Sequence, residues 1–268
     1  MSDSRPVLYH NDMSVCAAKV RMALAEKAVE FEGVHLDLRA GDAQKPGYVR
    51  LNPNQVVPTL VNGVDVVIES NVILEYIEDS WSGTPLRPAA PVARARMRLW
   101  MKQLDEGVHA ATGTVSSCIA FRHQHLKRDP AELQAWLNDI ADPARRERSR
   151  QAIEKGMDAA GFAPAVLRFD KLLADMESAL GAGDWLAGAE YSLADIAYAP
   201  YVARLKHLGF ESMFDERPRA ADWAQRLQMR PAFATGVAGW FNPAYLAIFE
   251  RERPAVRARV AQLRAAVL

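Results

Sequence analysis

The sequence contains little cysteine and no cluster of metal-binding side chains. Its 268 residues include only two cysteines, Cys16 and Cys118, which lie far apart and form no C-x-x-C pair. This excludes a disulfide framework, and the lack of Cys/His pairs at zinc spacing argues against a structural metal site. His123 and His125 are separated by one residue, but no third ligand lies near them, so we expect no metal. Low cysteine use and a short polar N-terminus without the features of a secretory signal predict a cytoplasmic location.

The sequence also lacks an excess of charge of one sign and any long hydrophobic run. Lys and Arg number 33, Asp and Glu number 33, and the formal net charge is zero. No apolar run approaches the roughly 20 residues that a membrane-spanning helix needs. We therefore expect no membrane-spanning segment and no general affinity for nucleic acid or for a membrane surface.

The pattern of hydrophobic residues changes along the chain and predicts two domains. Within residues 1–82, short apolar runs alternate with helical patterns, which indicates a small α/β domain with helices packed on a sheet. Residues 83–91 are rich in proline and small residues and form a predicted linker. Residues 92–268 show helical spacing without strand alternation, which predicts an all-α domain.

The first helix is predicted to have one apolar and one charged face. Ala17, Val20 and Leu24 recur at helical spacing and should be buried. Lys19, Arg21 and Glu26 fall on the opposite side, so we expect them to face solvent.

Other local patterns give further structural predictions. Asn62-Gly63 between two apolar runs predicts a β-hairpin. Ser192 and Asp195 match a capping box at the start of a helix, in which each side chain bonds the backbone N–H of the other residue. Val72, Ile73, Tyr76 and Ile77 mark the apolar face of one predicted helix, and Leu99, Leu104 and Val108 belong to the first long helix of the second domain.

The segment from residue 123 to 150 is strongly charged and has two interpretations. It could form a lid over a binding site, or a solvated helical hairpin that carries no function. The hairpin is the preferred interpretation because runs of charge are usually solvated faces.

Ser14 and Cys16 stand at the start of the first predicted helix. As the N-cap, Ser14 would bring a hydroxyl and unpaired backbone N–H groups to one point, where they can hold an anion. A thiolate at that point would gain a hydrogen bond and the favourable end of the helix dipole, and both lower a thiol pKa. Ser14 could equally be a plain capping serine. Cys16 could be a nucleophile or form a mixed disulfide, or it could be a small apolar residue packed under the helix.

Two further loops carry residues that suit a charged peptide ligand. A cis bond at Val57-Pro58 would turn the Val57 N–H and C=O outward to pair with an extended peptide, although cis X-Pro bonds are uncommon. Ser70 and the N–H groups that follow it suit a carboxylate, and Glu69 suits an ammonium group; alternatively, the pair simply begins a helix. Lys45 could meet a second carboxylate or be an ordinary exposed lysine. Together these loops indicate one site for a small, charged, thiol-bearing ligand.

In this order, these pieces resemble the glutathione transferase superfamily. The segments that carry the resemblance are SVCAAKVRMALAEK (14–27), LNPNQVVPTLV (51–61), ESNVILEYIED (69–79) and YSLADIAYAP (191–200). The resemblance implies a thioredoxin-like N-terminal domain, an all-α C-terminal domain that forms the electrophile-binding site, a homodimer, and glutathione as co-substrate. A single departure concerns Gln55, which stands where many relatives have glycine.

The resemblance also implies roles for the site residues. Ser14 would hold the glutathione thiolate, and Val57 before a cis Pro58 would pair with the cysteinyl backbone. Glu69 and Ser70 would hold the γ-glutamyl end, and Lys45 would meet the glycyl carboxylate. Tyr9 lies inside the first predicted strand, so no catalytic tyrosine is expected.

Several reactions fit this resemblance. Segments 69–79 and 86–106 are similar to bacterial β-aryl etherases, which cleave lignin-derived ethers with glutathione. The first loop resembles that of glutathione-dependent reductive dehalogenases of chlorinated hydroquinones, whose Ser-x-Cys pair matches Ser14 and Cys16. The same pair occurs in maleylacetoacetate isomerases, which the later segments fit less well. A thiol reductase that uses Cys16, or a non-catalytic glutathione- or ligand-binding protein, remains an alternative.

The second substrate is expected to be a small apolar, aromatic electrophile. The side chains predicted to bind it are Met13, His109 and Arg122. The aromatic residues near the C-terminus could also contribute, although a core position is the preferred interpretation for them: Trp240, Phe241 and Tyr245.

Overall fold

The structure is a computed structural model that describes residues 5–140 and 142–266. Four strands among these residues form one sheet: β1 Val7–His10, β2 Glu32–His35, β3 Thr59–Asn62 and β4 Asp65–Ile68. Their spatial order is β2-β1-β3-β4. β1 and β2 are parallel, whereas β1–β3 and β3–β4 are antiparallel.

Helices make up most of the remaining chain. The α-helices are α1 Val15–Glu26, α2 Pro46–Val49, α3 Ser70–Ser80, α4 Pro91–Gln103, α5 His109–Ser116, α6 Arg122–His125, α7 Pro130–Asn138, α8 Pro143–Lys155, α9 Phe162–Ala179, α10 Leu193–His207, α11 Pro218–Gln228, α12 Pro231–Gly236 and α13 Pro243–Ala265. π-Helical turns at Leu104–Val108 and Ser117–Phe121 flank α5. Among the described residues, no helix is both long enough and apolar enough to cross a membrane.

The chain folds into two compact units that are interleaved in sequence. The described residues of one unit fall within 1–101, 179–202 and 222–242, and those of the other fall within 102–178, 203–221 and 243–268. The first unit therefore contains the sheet and also returning segments from the helical part of the chain. The division into a domain at 1–82, a linker at 83–91 and a second domain at 92–268 stays a prediction.

The predicted exposure of the charged face of α1 is wrong for Lys19 and Arg21. Lys19 and Arg21 are each 1% exposed, so they are as buried as the apolar residues of the same helix. The reason is that α1 packs against both α3 and α12. A helix enclosed on more than one side leaves its charged residues inside the protein, where they need polar partners.

The β3–β4 hairpin is confirmed. Asn62 pairs with Asp65 across the turn, and Gly63 adopts a left-handed φ of 64°. Glycine takes this conformation without steric strain, which is why it suits a two-residue hairpin turn.

The predicted apolar face of α3 is confirmed for Ile73 and Ile77, which are buried. Val72 of the same predicted face is 56% exposed, and Leu99 of α4 is 64% exposed, while the buried positions of α4 include Met101. Each helix therefore presents an apolar side chain to solvent.

The capping box at α10 is confirmed for the Asp195 side chain and wrong for the Ser192 side chain. The Asp195 carboxylate accepts from the backbone N–H of Ser192 at 2.9 Å, as predicted. The Ser192 hydroxyl accepts from the Ala194 N–H and not from the Asp195 N–H, which bonds the Ser192 carbonyl. The same carboxylate also accepts from the Leu186 N–H and the Trp223 indole. Burial raises the pKa of Asp195 although these hydrogen bonds oppose the effect.

In the second unit, the charged segment forms a helical hairpin. α7 and α8 enclose a small core of Leu137, Ile140 and Ile153, which agrees with the preferred interpretation of residues 123–150. His125 departs from the expected solvated surface, because it is buried with its ring centroid 4.1 Å from that of Trp136.

Candidate functional site

The sheet register brings three predicted loops to one edge. His10, the last residue of β1, lies opposite His35, the last residue of β2. Thr59, the first residue of β3, pairs with both Tyr9 near the end of β1 and Ile68 at the end of β4. The segments that carry Ser14, Val57-Pro58 and Glu69-Ser70 therefore all leave the sheet at this edge.

Ser14 is the N-cap of α1, as predicted. Its backbone is extended, and its hydroxyl accepts a hydrogen bond from the Ala17 N–H at 3.2 Å. The Ser14 N–H donates to the carbonyl of Asn11 at 3.3 Å, which closes the preceding turn. The hydroxyl proton can still be donated to an anion placed before the helix, where the helix dipole favours negative charge.

Cys16 is a partly buried free thiol in the first turn of α1. Its sulfur lies 3.4 Å from the hydroxyl oxygen of Tyr201, a contact that the sequence did not indicate. Cys118 is different, because burial raises the pKa of its thiol to about 11. Cys16 is therefore the better placed of the two for thiol chemistry.

The Val57-Pro58 peptide bond is cis. Two side chains that were not anticipated hold the segment before it: the Tyr48 hydroxyl donates to the Val56 carbonyl at 2.5 Å, and the Asn52 amide donates to the same carbonyl at 2.9 Å. An amide residue six positions before the proline and an aromatic residue ten positions before it are the sequence features that could have indicated this support.

Gln55 and Glu69 both adopt left-handed backbone conformations, with φ of 56° and 66°. The turn at Gln55 therefore has a geometry that usually favours glycine, although the side chain is large. Glu69 directly precedes α3, and its carboxylate accepts from the Asn54 amide at 3.0 Å. Ser70, the first residue of α3, is buried.

Lys45 and Met13 lie on the same unit, but their contacts are with the protein itself. The Lys45 side chain is 71% exposed and forms an ion pair with Asp42 at 2.6 Å. Met13 is buried, and its sulfur lies 3.4 Å from the backbone nitrogen of Asn242. The ligand contacts expected of Lys45 and Met13 stay predictions.

His109 and Arg122 belong to the second unit. His109 begins α5 and is exposed. The Arg122 guanidinium donates to the carbonyls of Ile153 and Glu154 at the end of α8. This gives Arg122 a capping contact in its own unit, and the substrate contacts expected of both residues stay predictions.

The three C-terminal aromatic residues differ in their surroundings. The Trp240 ring lies against His10 at 4.7 Å between centroids, and the Tyr245 hydroxyl donates to Gln124 at 2.8 Å. Both contacts agree with a packing role for Trp240 and Tyr245. Phe241 is partly buried.

Metal binding is not supported by the described side chains. Within residues 5–140 and 142–266, no group of three or more His, Cys, Asp or Glu side chains could hold a metal ion. His123 instead faces Glu252, with the ring nitrogen 3.1 Å from a carboxylate oxygen.

Comparison with known proteins gives a consistent result. Residues 6–79 match the family model of the glutathione S-transferase N-terminal domain, and residues 143–226 match that of the C-terminal domain. The chain is 30% identical over 251 residues to the tetrachloro-p-hydroquinone reductive dehalogenase of Sphingobium chlorophenolicum, which covers 85% of this chain and 94% of that protein. It is 31% identical over 237 residues to protein LigF of Sphingobium sp. strain SYK-6, which covers 84% and 90%. The crystal structure of beta-etherase LigF from the same strain aligns with a TM-score of 0.79 at 29% identity, covering 87% of this chain and 98% of that one.

The chain therefore belongs to the glutathione S-transferase family. The predicted fold class, an α/β N-terminal domain with a small mixed sheet followed by a helical part, is confirmed. The chain is a glutathione-dependent enzyme, and glutathione is the co-substrate of its family.

Proposed function

We propose that this enzyme directs the thiolate of glutathione at an electrophilic carbon of a small apolar, aromatic substrate. The observation that carries the proposal is the meeting of three loops at one sheet edge, with Ser14 capping α1 and a cis Val57-Pro58 bond in the second loop. The Ser14 hydroxyl would donate a hydrogen bond to the thiolate, and the helix dipole would add to the stabilisation of the negative charge. Attack forms a carbon–sulfur bond and expels an aryloxide or a halide.

Each part of glutathione has a complementary group on the first unit. Val57 would form a short β-ladder with the cysteinyl backbone. Ser70 at the start of α3 would bind the γ-glutamyl carboxylate, and Glu69 would bind its ammonium group. Lys45 would bind the glycyl carboxylate, since its exposed ion pair with Asp42 can exchange for a ligand at little cost.

Two relatives suggest the class of electrophile. One is a reductive dehalogenase of a chlorinated hydroquinone, and the other is the beta-etherase LigF. We propose an aryl ether or an aryl halide as the substrate class. Met13, His109 and Arg122 remain the candidates for contacts with it.

A second candidate mechanism uses Cys16 and is favoured by one observation. The Cys16 sulfur lies within hydrogen-bond distance of the Tyr201 hydroxyl. In this alternative, glutathione first displaces the leaving group of the substrate, and the Cys16 thiolate then attacks the sulfur of the resulting conjugate. The substrate carbon leaves with the bonding electron pair and takes up a proton, and the Cys16–glutathione disulfide that forms is reduced by a second glutathione.

We also propose a homodimer in the cytoplasm. Exposed apolar side chains on α3 and α4, Val72 and Leu99, would be covered by a second copy. Both cysteines are free, which suits a reducing compartment.

The test is glutathione titration calorimetry followed by a turnover panel with a chloronitrobenzene, a β-aryl ether and a chlorinated hydroquinone. Ser14→Ala, Cys16→Ala and the wild type are compared, with Cys118→Ala as the matched cysteine control. Turnover that collapses in Ser14→Ala and survives in Cys16→Ala supports the main proposal. The opposite pattern supports the Cys16 mechanism, and glutathione binding without turnover of any electrophile in the panel would contradict the proposed substrate class.

A further inference from the structure

Arg21 lies beneath the loop that leads to Ser14, and it is 1% exposed. Its guanidinium donates to the carbonyls of Asn11 at 3.1 Å and Asp12 at 3.3 Å. Asn11 and Asp12 lie three and two positions before Ser14. The side chain therefore fixes the backbone of that loop from inside the protein.

The same guanidinium contacts the end of α12. Its Nε donates to the Gly236 carbonyl at 2.9 Å, and its plane lies over the Trp240 ring with 4.8 Å to the centroid. A side chain at Gly236 would place a Cβ 2.6 Å from the backbone of Met22. Glycine thus permits the close approach that brings this carbonyl to Arg21.

His10 completes the surroundings of the guanidinium, because its Nδ1 lies 3.2 Å from an Arg21 nitrogen. Burial, together with the charge of Arg21, lowers the pKa of His10 to about 4. The ring is therefore neutral at neutral pH, and its Nδ1 can accept. Burial lowers the pKa of Arg21 to about 10, so the guanidinium stays charged at neutral pH.

Asn242 holds the loop from a second direction. Its amide donates to the Asp12 carboxylate at 2.8 Å. The same carboxylate accepts from the Met13 N–H at 2.7 Å, directly before Ser14. Burial by itself would raise the pKa of Asp12, but the hydrogen bonds from Asn242 and Met13, together with the interactions with His35, outweigh it, so this pKa lies below its usual value.

We propose that Arg21 and Asn242 are positioning residues for the thiolate: they fix the 11–14 loop so that the Ser14 hydroxyl and the start of α1 point at the glutathione sulfur. This rests on the proposed function. Arg21 reaches both loop carbonyls and Asn242 reaches the loop carboxylate, so the two residues restrain one segment from separate elements. Neither touches the sulfur, and their effect on it passes through Ser14. Small displacements of a group that stabilises charge lower its effect steeply.

The proposal predicts a separation between glutathione affinity and thiol ionisation. In the proposed function, Val57, Glu69 and Ser70 would hold the peptide independently of the 11–14 loop, so affinity should change by less than about threefold. The thiolate fraction at neutral pH should fall about tenfold, which corresponds to a rise of about one unit in the pKa of the bound thiol. A residue that only stabilises the fold would leave this pKa unchanged.

The experiment uses the full-length protein and measures thiolate ultraviolet absorbance of bound glutathione against pH. Arg21→Met and Asn242→Ala are compared with Arg230→Met, a control whose bidentate partner Glu26 lies at the opposite end of α1. Affinity is measured by calorimetry and folding by thermal unfolding. We expect the bound-thiol pKa to rise in Arg21→Met and Asn242→Ala and to stay at the wild-type value in Arg230→Met.

Two results would overturn the inference, and they are distinguishable. An unchanged bound-thiol pKa in folded Arg21→Met and Asn242→Ala would refute positioning while leaving the proposed function intact. A wild-type protein that binds glutathione without lowering its thiol pKa would refute the proposed function itself. If Arg21→Met does not fold, Asn242→Ala decides the outcome alone, because its side chain lies at the edge of the network and is only partly buried.

Discussion

The amide nitrogen of Asn54 lies 3.0 Å from a carboxylate oxygen of Glu69, and this hydrogen bond joins one left-handed backbone position, Glu69, to the residue directly before another, Gln55. Gln55 follows Asn54 directly, and Glu69 precedes α3. Between them runs the β3–β4 hairpin, so the bond closes the loop that carries the cis Val57-Pro58 bond onto the start of α3. Strained backbone of this kind is often kept at functional sites.

The strain at Gln55 can be tested with glycine. Gln55→Gly should raise the free energy of unfolding by about 0.5–1 kcal/mol, because relief of the left-handed φ exceeds the extra entropy of glycine in the unfolded chain. Gln55→Ala keeps the strain and should show no gain. Urea unfolding of both variants measures this, and a destabilised glycine variant would show that the position is not strained.

Asp195 is expected to contribute more than an ordinary helix cap. Its carboxylate is buried and accepts from Leu186, Ser192 and Trp223, so Asp195→Ala leaves several buried donors without a partner. We expect a loss of about 3–5 kcal/mol, against about 1 kcal/mol for a cap alone. Asp222→Ala is the control, because Asp222, which forms an ion pair with Arg226, is 65% exposed. Its removal should lower the free energy of unfolding by less than about 1 kcal/mol. Similar losses in both variants, measured by denaturant unfolding, would contradict the assignment.

Gly236 is expected to be irreplaceable for steric reasons. A Cβ there would lie 2.6 Å from the Met22 backbone, so Gly236→Ala should destabilise the protein by about 1–3 kcal/mol or more. Gly113 lies within α5 with no atom within 4 Å of an added Cβ, so Gly113→Ala should stabilise by about 0.5–1 kcal/mol. Thermal unfolding should show shifts of opposite sign; a neutral Gly236→Ala variant would mean that α12 can move away from α1.

The buried His10 predicts a loss of stability in mild acid. Burial, Arg21 and His35 lower the pKa of His10 to about 4 in the folded protein, compared with 6.5 for an unperturbed histidine. Between these values the unfolded chain binds a proton that the folded chain excludes, so stability falls as pH drops from about 6.5 to 4, by roughly 3 kcal/mol from this residue. Above about pH 6.5 the contribution is constant.

His10→Gln isolates this effect, because glutamine offers an acceptor to Arg21 but does not titrate. Urea unfolding across the same pH range should give a shallower dependence in His10→Gln than in the wild type. His207, whose pKa burial also lowers to about 4, titrates in both proteins and cancels in the comparison. Equal slopes would contradict the buried neutral state of His10.

The parts of this fold that the sequence predicted depend on short-range patterns. Ser14 caps α1 because a hydroxyl before an apolar helical repeat is a local signal, and the hairpin follows from the local Asn62-Gly63 signal, although its two turn residues are Gly63 and Val64. The roles of Val57, Glu69 and Lys45 rested on resemblance, because cis bonds and ligand contacts are not encoded in neighbouring residues.

The features that the sequence did not predict depend on distant parts of the chain. Arg21 was expected in solvent, yet it bonds the Gly236 carbonyl 215 positions away. The residue pattern of α1 does not predict that α12, which is distant in sequence, packs against it. Likewise, Leu99 fits a helical apolar stripe but is exposed, because neighbours in space decide which face of a helix is buried.

The most direct test of the account is the ionisation of glutathione bound to the wild type and to Ser14→Ala. Calorimetry first establishes binding, and thiolate absorbance against pH then gives the pKa of the bound thiol. We expect the wild type to lower this pKa by about one to two units from its free value, and Ser14→Ala to lose most of the shift while still binding glutathione. Absence of glutathione binding, or the same bound-thiol pKa in both proteins, would contradict the central role of Ser14.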